Sequence, residues 1–141
     1  MFDFFGFGKK TCKAKILVVD DEPNIVQTLK DRLEMNEYEV VTACNGDEGL
    51  RTAKESQPEL ILLDVIMPIM DGHEMLEKLR QQDWGKDVSV IMLTARSQTQ
   101  DIQRARDCSI DDYIIKPFDL SELLEKIEVI LEHRKSPVST R

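Results

Sequence analysis

The chain has 141 residues and a formal net charge of −8, with 41% hydrophobic and 33% charged residues. This length suits one domain with short tails and is enough to bury a core. The acidic balance disfavours binding to DNA, which needs a basic surface, and docking on anionic membranes. No apolar run approaches the roughly 18 residues of a membrane span, and the first ten residues lack the pattern of a signal peptide. We therefore expect a cytoplasmic protein that binds neither nucleic acid nor membrane.

Residues 1–14 are predicted to form a tail. The first ten hold four of the chain's five phenylalanines, and they are too few to build a core. Three interpretations stay open: a free tail, a segment folded back on the domain, or a docking peptide for a partner or a membrane interface. The cysteines and histidines follow no metal-binding spacing, which predicts free thiols in a reducing compartment: Cys12, Cys44, Cys108, His73 and His133.

The first predicted strand, Lys15 to Val19, is apolar and runs into Asp20 and Asp21. Pro23 suits the first turn of a helix, and apolar residues follow it at helical spacing. The stretch 38–42 alternates and is rich in β-formers, which predicts a second strand at the edge of a sheet.

The third predicted strand is a continuous apolar run, Leu60 to Leu63, that leads into Asp64. A run of this kind, bounded by turn signals, is typical of a strand buried on both faces. Asn45 and Glu48 are predicted to cap the helix before it. The strand would deliver Asp64 to the carboxyl end of a parallel sheet, where open α/β folds place their ligand sites. On this stretch alone, Asp64 could equally cap a turn.

Two further strands follow the same scheme. Val88 to Leu93 ends at Thr94, and Asp111 to Ile115 ends at Lys116. The helix between them has a thin apolar stripe, whereas the last helix has a clear one. Polar pairs three residues apart are predicted to cap the last three helices: Asp71 and Glu74, Ser97 and Gln100, and Asp119 and Glu122. Five repeats of strand then helix predict an α/β fold, with a parallel sheet between two layers of helices.

Polar residues follow four of the five strands and would meet at one edge of that sheet. Clustered carboxylates tolerate one another when a hard cation takes their oxygens, and Mg²⁺ prefers such ligands. A lysine and a threonine hydroxyl can bind phosphate oxygens, and an aspartate, already ionised at neutral pH, can accept a phosphoryl group. Phosphoryl transfer needs mainly positioning and charge neutralisation, which these residues can supply: Asp20, Asp21, Asp64, Thr94 and Lys116.

The chain from about Lys15 to His133 resembles the receiver domain of bacterial response regulators. The resemblance rests on five short motifs, each weak alone but specific in their order and spacing: Asp20-Asp21, Asp64 with Met67-Pro68, Asp71-Gly72, Thr94-Ala95 and Lys116-Pro117-Phe118. It implies a flavodoxin-like fold with five helices and the strand order 2-1-3-4-5. We expect the receiver domain to occupy residues 15–134 and a C-terminal tail to occupy residues 135–141.

The resemblance implies a role for each polar residue. Asp64 would accept a phosphoryl group from a sensor histidine kinase or a phosphotransfer protein, and Thr94 and Lys116 would contact that group. Tyr113 would be the switch aromatic, turning inward as Thr94 moves. The Lys116–Pro117 peptide bond would be cis, as in the family.

The resemblance also implies a site for Mg²⁺ or Mn²⁺. Asp21 and Asp64 would bind the ion directly, with the backbone carbonyl of Ile66, and Asp20 would act largely through water. The chain would catalyse only its own phosphorylation and dephosphorylation and would not be an enzyme. Because a short tail follows the last predicted helix, we expect a stand-alone receiver that signals in trans to a downstream protein.

Some residues depart from the family's pattern. Small residues are common where Ser109 and Ile110 stand, and a glycine is common at Glu37. The positions two residues after Asp64 and Thr94 tune the lifetime of the phosphate in the family. Ile66 at the first of these positions leads to the hypothesis that its bulk hinders attacking water and slows self-dephosphorylation.

Three other functions are disfavoured. A Mg²⁺-dependent phosphohydrolase with an aspartyl nucleophile, of the haloacid-dehalogenase type, usually carries a second aspartate where Ile66 stands. A nucleotide-binding α/β protein would show a Gly-rich loop after a strand, and none is present. A degenerate receiver that only binds partners would lack part of the polar set, which here is complete.

Overall fold

The structure, a computed structural model, describes residues 12–135, so most of the predicted N-terminal tail and of the C-terminal tail lies outside it. Its strands are all parallel and lie in the order β2-β1-β3-β4-β5, which confirms the predicted topology. The elements in chain order are β1 Lys15–Val19, α1 Pro23–Met35, β2 Glu39–Ala43, α2 Gly46–Ser56, β3 Leu60–Asp64, α3 Gly72–Arg80, β4 Ser89–Ala95, α4 Ile102–Asp107, β5 Asp112–Lys116 and α5 Leu120–Lys135.

The sheet separates two apolar cores because successive side chains of a strand point to opposite faces. Leu17 and Val19 of β1 pack with α2, α3 and α4, whereas Ile16 and Val18 pack with α1 and α5. The four apolar residues of β3 are all fully buried and divide between the two cores in the same way. This explains why the central strands read as continuous apolar runs rather than as alternating ones. Within the described part of the chain, no helix is long and apolar enough to cross a membrane.

Three of the predicted helix caps are confirmed. The amide of Glu48 donates to the side chain of Asn45 at 2.8 Å, and the amide of Glu74 donates to Asp71 at 2.9 Å. Asp119 accepts from the amide of Ser121 at 3.0 Å at the start of α5. Each bond satisfies an amide that the first turn of a helix leaves without a partner.

The predicted cap at Ser97 and Gln100 is wrong. The segment starts as a 3₁₀ helix, Arg96–Asp101, which precedes α4, and neither start carries a side-chain capping bond. The thin apolar stripe explains the difference, because little apolar burial holds this segment as one regular α-helix. The two family departures in turns, Glu37 and Ser109, adopt the left-handed region with φ of 72° and 64°, which favours glycine.

Arg80, the last residue of α3, holds the amino-terminal edge of the sheet together. Its guanidinium donates to backbone carbonyls on both sides of β4, in the loop before β4 and in the loop before β5. The distances are 2.7 to 3.2 Å, to the carbonyls of Gly85, Lys86, Val88, Cys108 and Ser109. A guanidinium supplies five donors in one plane, so one side chain satisfies several carbonyls that neither loop satisfies itself.

Replacing Arg80 by methionine should destabilise the fold by about 3 kcal/mol, because five carbonyls, three of them in partly buried hydrogen bonds, lose their donor. Arg80→Lys should cost less, since an ammonium restores some of the donors but not their planar arrangement. Urea unfolding of the purified variants measures both losses. Arg51→Met is the matched control, because the side chain of Arg51 is 66% exposed and pairs with Asp47 at the surface. A loss for Arg80→Met as small as that of the control would contradict this assignment.

Candidate functional site

The register of the sheet places Asp20 beside Asp64. Val19 pairs with Leu63 across β1 and β3, so the next residue of each strand is an aspartate. The chain passes from β1 to β2 on one side and places β3 on the other side, which makes this the topological switch point of the sheet. Crevices at such points are the usual ligand sites of open α/β folds. The predicted meeting of Asp20 and Asp64 at one edge of the sheet is therefore observed.

Three carboxylates converge in this crevice. Asp20, Asp21 and Asp64 each offer an oxygen, and these oxygens lie within 4.8 Å of one another. Asp20 is fully buried and Asp64 is 6% exposed, whereas Asp21 faces solvent. The cluster combines two carboxylates shielded from water with one that is open to it.

Lys116, the last residue of β5, reaches the cluster although β4 lies between β5 and the strand that carries Asp64. Its Nζ lies 2.9 Å from Asp20, 3.3 Å from Asp64 and 3.3 Å from Glu22. The Lys116–Pro117 peptide bond is cis, as the resemblance implies. Sequence reasoning did not single out Glu22, although its position directly after Asp21 is a signal that could have found it. The amide of Glu22 also donates to Asp20 at 2.9 Å, so the turn after β1 is organised around that carboxylate.

Burial and mutual repulsion set the charges of the site. Burial, together with the charge of Asp20, raises the pKa of Asp64 to about 7 against the opposing effect of Lys116. Burial works to lower the pKa of Lys116, but its hydrogen bond to Asp20 and the charge of Asp64 outweigh it, so this pKa is raised. The lysine therefore stays charged, and its single ammonium does not fully compensate the carboxylates. Without a metal ion Asp64 is only partly ionised at neutral pH, contrary to the expectation from the sequence.

The cluster fits a hard divalent cation. Its donors are carboxylate oxygens only, they are close enough to share one ion, and one of them is open to water. Mg²⁺ is commonly held by one or two carboxylates and keeps several waters. The residues that could hold it are Asp20, Asp21 and Asp64. The predicted fourth ligand, the backbone carbonyl of Ile66, lies in the loop that follows β3 and stays a prediction.

Thr94 and Tyr113 lie on the two strands beyond β3. Thr94 is fully buried, and its residue neighbour Leu93 pairs with Asp64 across the sheet. Its hydroxyl donates to the carbonyl of Ala95 at 3.2 Å, not to the carboxylate cluster. Tyr113 is half-buried on β5, and the guanidinium of Arg106 lies 5.8 Å from the centre of its ring. The aromatic ring thus links β5 to α4.

The loop from Val65 to Gly72 closes tightly on the end of β3. The amide of Gly72 donates to the carbonyl of Val65 at 2.8 Å. A Cβ on Gly72 would strike the carbonyl oxygen of Asp64, so only glycine allows this approach. In the sequence this glycine is part of the Asp71-Gly72 motif, which by itself indicates no role for it. Its role is to let the loop return to the strand that carries Asp64.

Comparison with known proteins assigns the family. The family model described as the response regulator receiver domain matches residues 16–128. The chain therefore belongs to the response regulator receiver family, which is a family of signalling domains.

Individual relatives agree with this assignment. The chain is 38% identical over 126 residues to the transcriptional regulatory protein PrrA of Mycobacterium tuberculosis, covering 89% of this chain and 53% of the relative. It is 42% identical over 125 residues to the probable transcriptional regulator ycf27 of Cyanophora paradoxa, covering 89% and 51%. The chain thus spans about half the length of these curated relatives. A CheY-like receiver domain protein from Methanospirillum hungatei has a similar structure, with a TM-score of 0.81 and 33% identity over 86% of this chain and 96% of that chain.

The raised pKa of Asp64 makes the stability of the metal-free protein depend on pH. A carboxyl whose pKa is raised on folding stabilises the fold below its unfolded pKa, and this contribution is lost as the pH rises through its folded pKa. For Asp64 this window runs from about 4 to about 7. Asp64→Asn should therefore be more stable than the wild type by at least about 1 kcal/mol at pH 8 in EDTA, and the difference should shrink toward pH 5.

Urea unfolding at the two pH values, with EDTA present, measures this difference. The matched control is Asp83→Asn, since the side chain of Asp83 is 97% exposed and lies in the loop before β4, at the opposite edge of the sheet from the crevice. A stability difference between wild type and Asp64→Asn that is equal at pH 5 and pH 8 would contradict the assigned charge repulsion.

Proposed function

We propose that this chain is a phosphorylation-dependent switch whose acceptor is Asp64. The observation that supports this most is the convergence of a nearly buried carboxylate, two further carboxylates and a lysine at the switch point of the sheet. The donor would be a sensor histidine kinase or a phosphotransfer protein. No other protein substrate is needed, so the chain would catalyse only its own phosphorylation and dephosphorylation.

In the proposed step, a carboxylate oxygen of Asp64 attacks the phosphorus of a phosphohistidine. The new phosphorus–oxygen bond forms as the phosphorus–nitrogen bond breaks, and the imidazole leaves with the electron pair of that bond. Mg²⁺ or Mn²⁺ would supply the positive charge that neutralises the phosphoryl oxygens. Asp21, Asp64 and the backbone carbonyl of Ile66 would hold the ion directly, and Asp20 would act largely through water.

Lys116 and Thr94 would bind the phosphoryl group. Lys116 already lies 3.3 Å from the acceptor carboxylate, so a phosphoryl oxygen on Asp64 would come within its reach. The Thr94 hydroxyl would exchange its bond to the Ala95 carbonyl for one to the phosphoryl group. Tyr113 would then turn inward and release its contact with Arg106, which would alter the surface of α4, β5 and α5.

A downstream protein would read that altered surface. The curated relatives are transcriptional regulators by name, and a DNA-binding function is not carried over to this chain. Its net charge of −8 supports a protein partner rather than nucleic acid or an anionic membrane. A cytoplasmic location stays a prediction.

Incubation with acetyl phosphate and Mg²⁺ should add one phosphoryl group, about 80 Da, to the intact protein. Asp64→Asn should abolish the added mass, because the amide cannot act as the nucleophile. Intact-mass spectrometry measures the shift, and EDTA should prevent it in the wild type. Labelling that persists in Asp64→Asn would refute Asp64 as the acceptor. Steady release of inorganic phosphate from phosphate esters over many turnovers would instead favour a phosphohydrolase.

Ile66 should set the lifetime of the phosphorylated state. Its side chain is 57% exposed in the loop beside the acceptor, where it can obstruct the approach of water to the phosphorus. Ile66→Asn should therefore speed the loss of the phosphoryl group several-fold, while Ile66→Leu should change it little. The decay of the added mass after removal of acetyl phosphate measures the rate. A decay rate in Ile66→Asn equal to that of the wild type would contradict this hypothesis.

A further inference from the structure

Ile69, five residues after Asp64, has an unusual backbone conformation. Its φ is 70°, a region that β-branched residues rarely adopt. The amide of Met70 donates to the carbonyl of Pro68 at 2.7 Å, which closes a three-residue γ-turn centred on Ile69. A γ-turn with positive φ is rare and strained. Glycine would take this conformation without strain.

Contacts on both sides of Ile69 impose this turn. The amide of Gly72 donates to the carbonyl of Val65, and the amide of Gly46 on α2 donates to the carbonyl of Met70 at 3.0 Å. The side chain of Met67 is buried, and that of Met70 packs against the core. The side chain of Ile69 itself is 80% exposed and so adds little to the fold. The chain therefore holds a large apolar side chain in solvent, in a conformation that suits glycine better.

This side chain lies within the area that a phosphoryl-donating protein must cover. A Cβ on Gly72 would strike the carbonyl oxygen of Asp64, so these two residues touch, and Ile69 is three residues from Gly72, which places it at most about 11 Å from that glycine. A stable protein interface buries about 800 Å² of each partner, a disc about 16 Å in radius. Because Asp64 is only 6% exposed, a donor protein must contact the residues around it to bring its phosphohistidine to the carboxylate. A footprint centred on Asp64 therefore includes both Ile66 and Ile69.

We propose that Ile69, together with Ile66, is an apolar contact for the protein that donates the phosphoryl group, and that it helps to select this donor. The inference rests on the proposed function of Asp64. It predicts that the donor protein carries apolar side chains around its phosphohistidine and that these side chains cover Ile66 and Ile69. A small donor such as acetyl phosphate reaches Asp64 without touching Ile69. Ile69 is thus a residue for recognition and not a catalytic residue.

The experiment compares a protein donor with a small donor on the full chain. The protein donor is the autophosphorylated histidine-kinase fragment that labels the wild type fastest in a panel of such fragments. Two variants remove the apolar contact but accept positive φ: Ile69→Gly and Ile69→Asn. Both should lower kcat/KM for transfer from the kinase fragment by about tenfold, as truncation of an energetically important interface side chain does. Labelling by acetyl phosphate should stay within about twofold of the wild type, and the Tm should not fall in Ile69→Gly, where strain is relieved.

Met35→Ser is the matched control. Met35 is 78% exposed, similar to Ile69, but it ends α1 at the opposite edge of the sheet. This variant should behave as the wild type with both donors. Transfer from the kinase fragment that is unchanged in both Ile69 variants would overturn the inference, and so would an equal loss with both donors, which would assign Ile69 to the reaction itself. A wild-type chain that acetyl phosphate fails to label would overturn the proposed function, and this outcome is distinct from the other two.

Discussion

The repulsion among three carboxylates at one end of a sheet is the constraint on which this structure depends. Two of them, Asp20 and Asp64, are shielded from water, where uncompensated charge is costly. A lysine from a distant strand supplies one compensating charge at 2.9 Å and 3.3 Å. The strand order matters because it delivers β1, β3 and β5 to the same edge with these groups at their ends. The fold thus holds in place a site that would gain from further positive charge, which a divalent metal ion would supply.

Much of this arrangement could be predicted from the sequence, because parallel strands impose it. Once the apolar runs were interpreted as parallel strands, the residues directly after them had to share one edge. The alternation of apolar burial in β1 and the continuous burial of β3 follow from the same reasoning. The helix caps at Asn45, Asp71 and Asp119 were also predictable, since a cap depends on residues within one turn of chain.

What could not be predicted depends on contacts between distant segments. The carbonyls that Arg80 satisfies belong to two loops, one of which is 28 residues further along the chain. The contact of Glu22 with Lys116 spans 94 residues, and no periodicity signals it. The predicted cap of α4 was wrong because two polar residues at cap spacing do not indicate whether enough apolar residues follow to hold a regular α-helix. The positive φ of Ile69 depends on how its loop is held at both ends, which the residue itself gives no sign of.

The guanidinium of Arg80 also makes the two edges of the sheet differ in how their loops are held. It fastens the loops before β4 and β5 at the amino-terminal edge, while the loops at the opposite edge carry the charged site. Opening of a segment costs free energy in proportion to the contacts it gives up. The proposed phosphorylation at the charged edge would therefore displace the chain around α4 without loosening the loops that Arg80 holds. The proposed rearrangement would then stay local, with the amino-terminal ends of β4 and β5 as its fixed point.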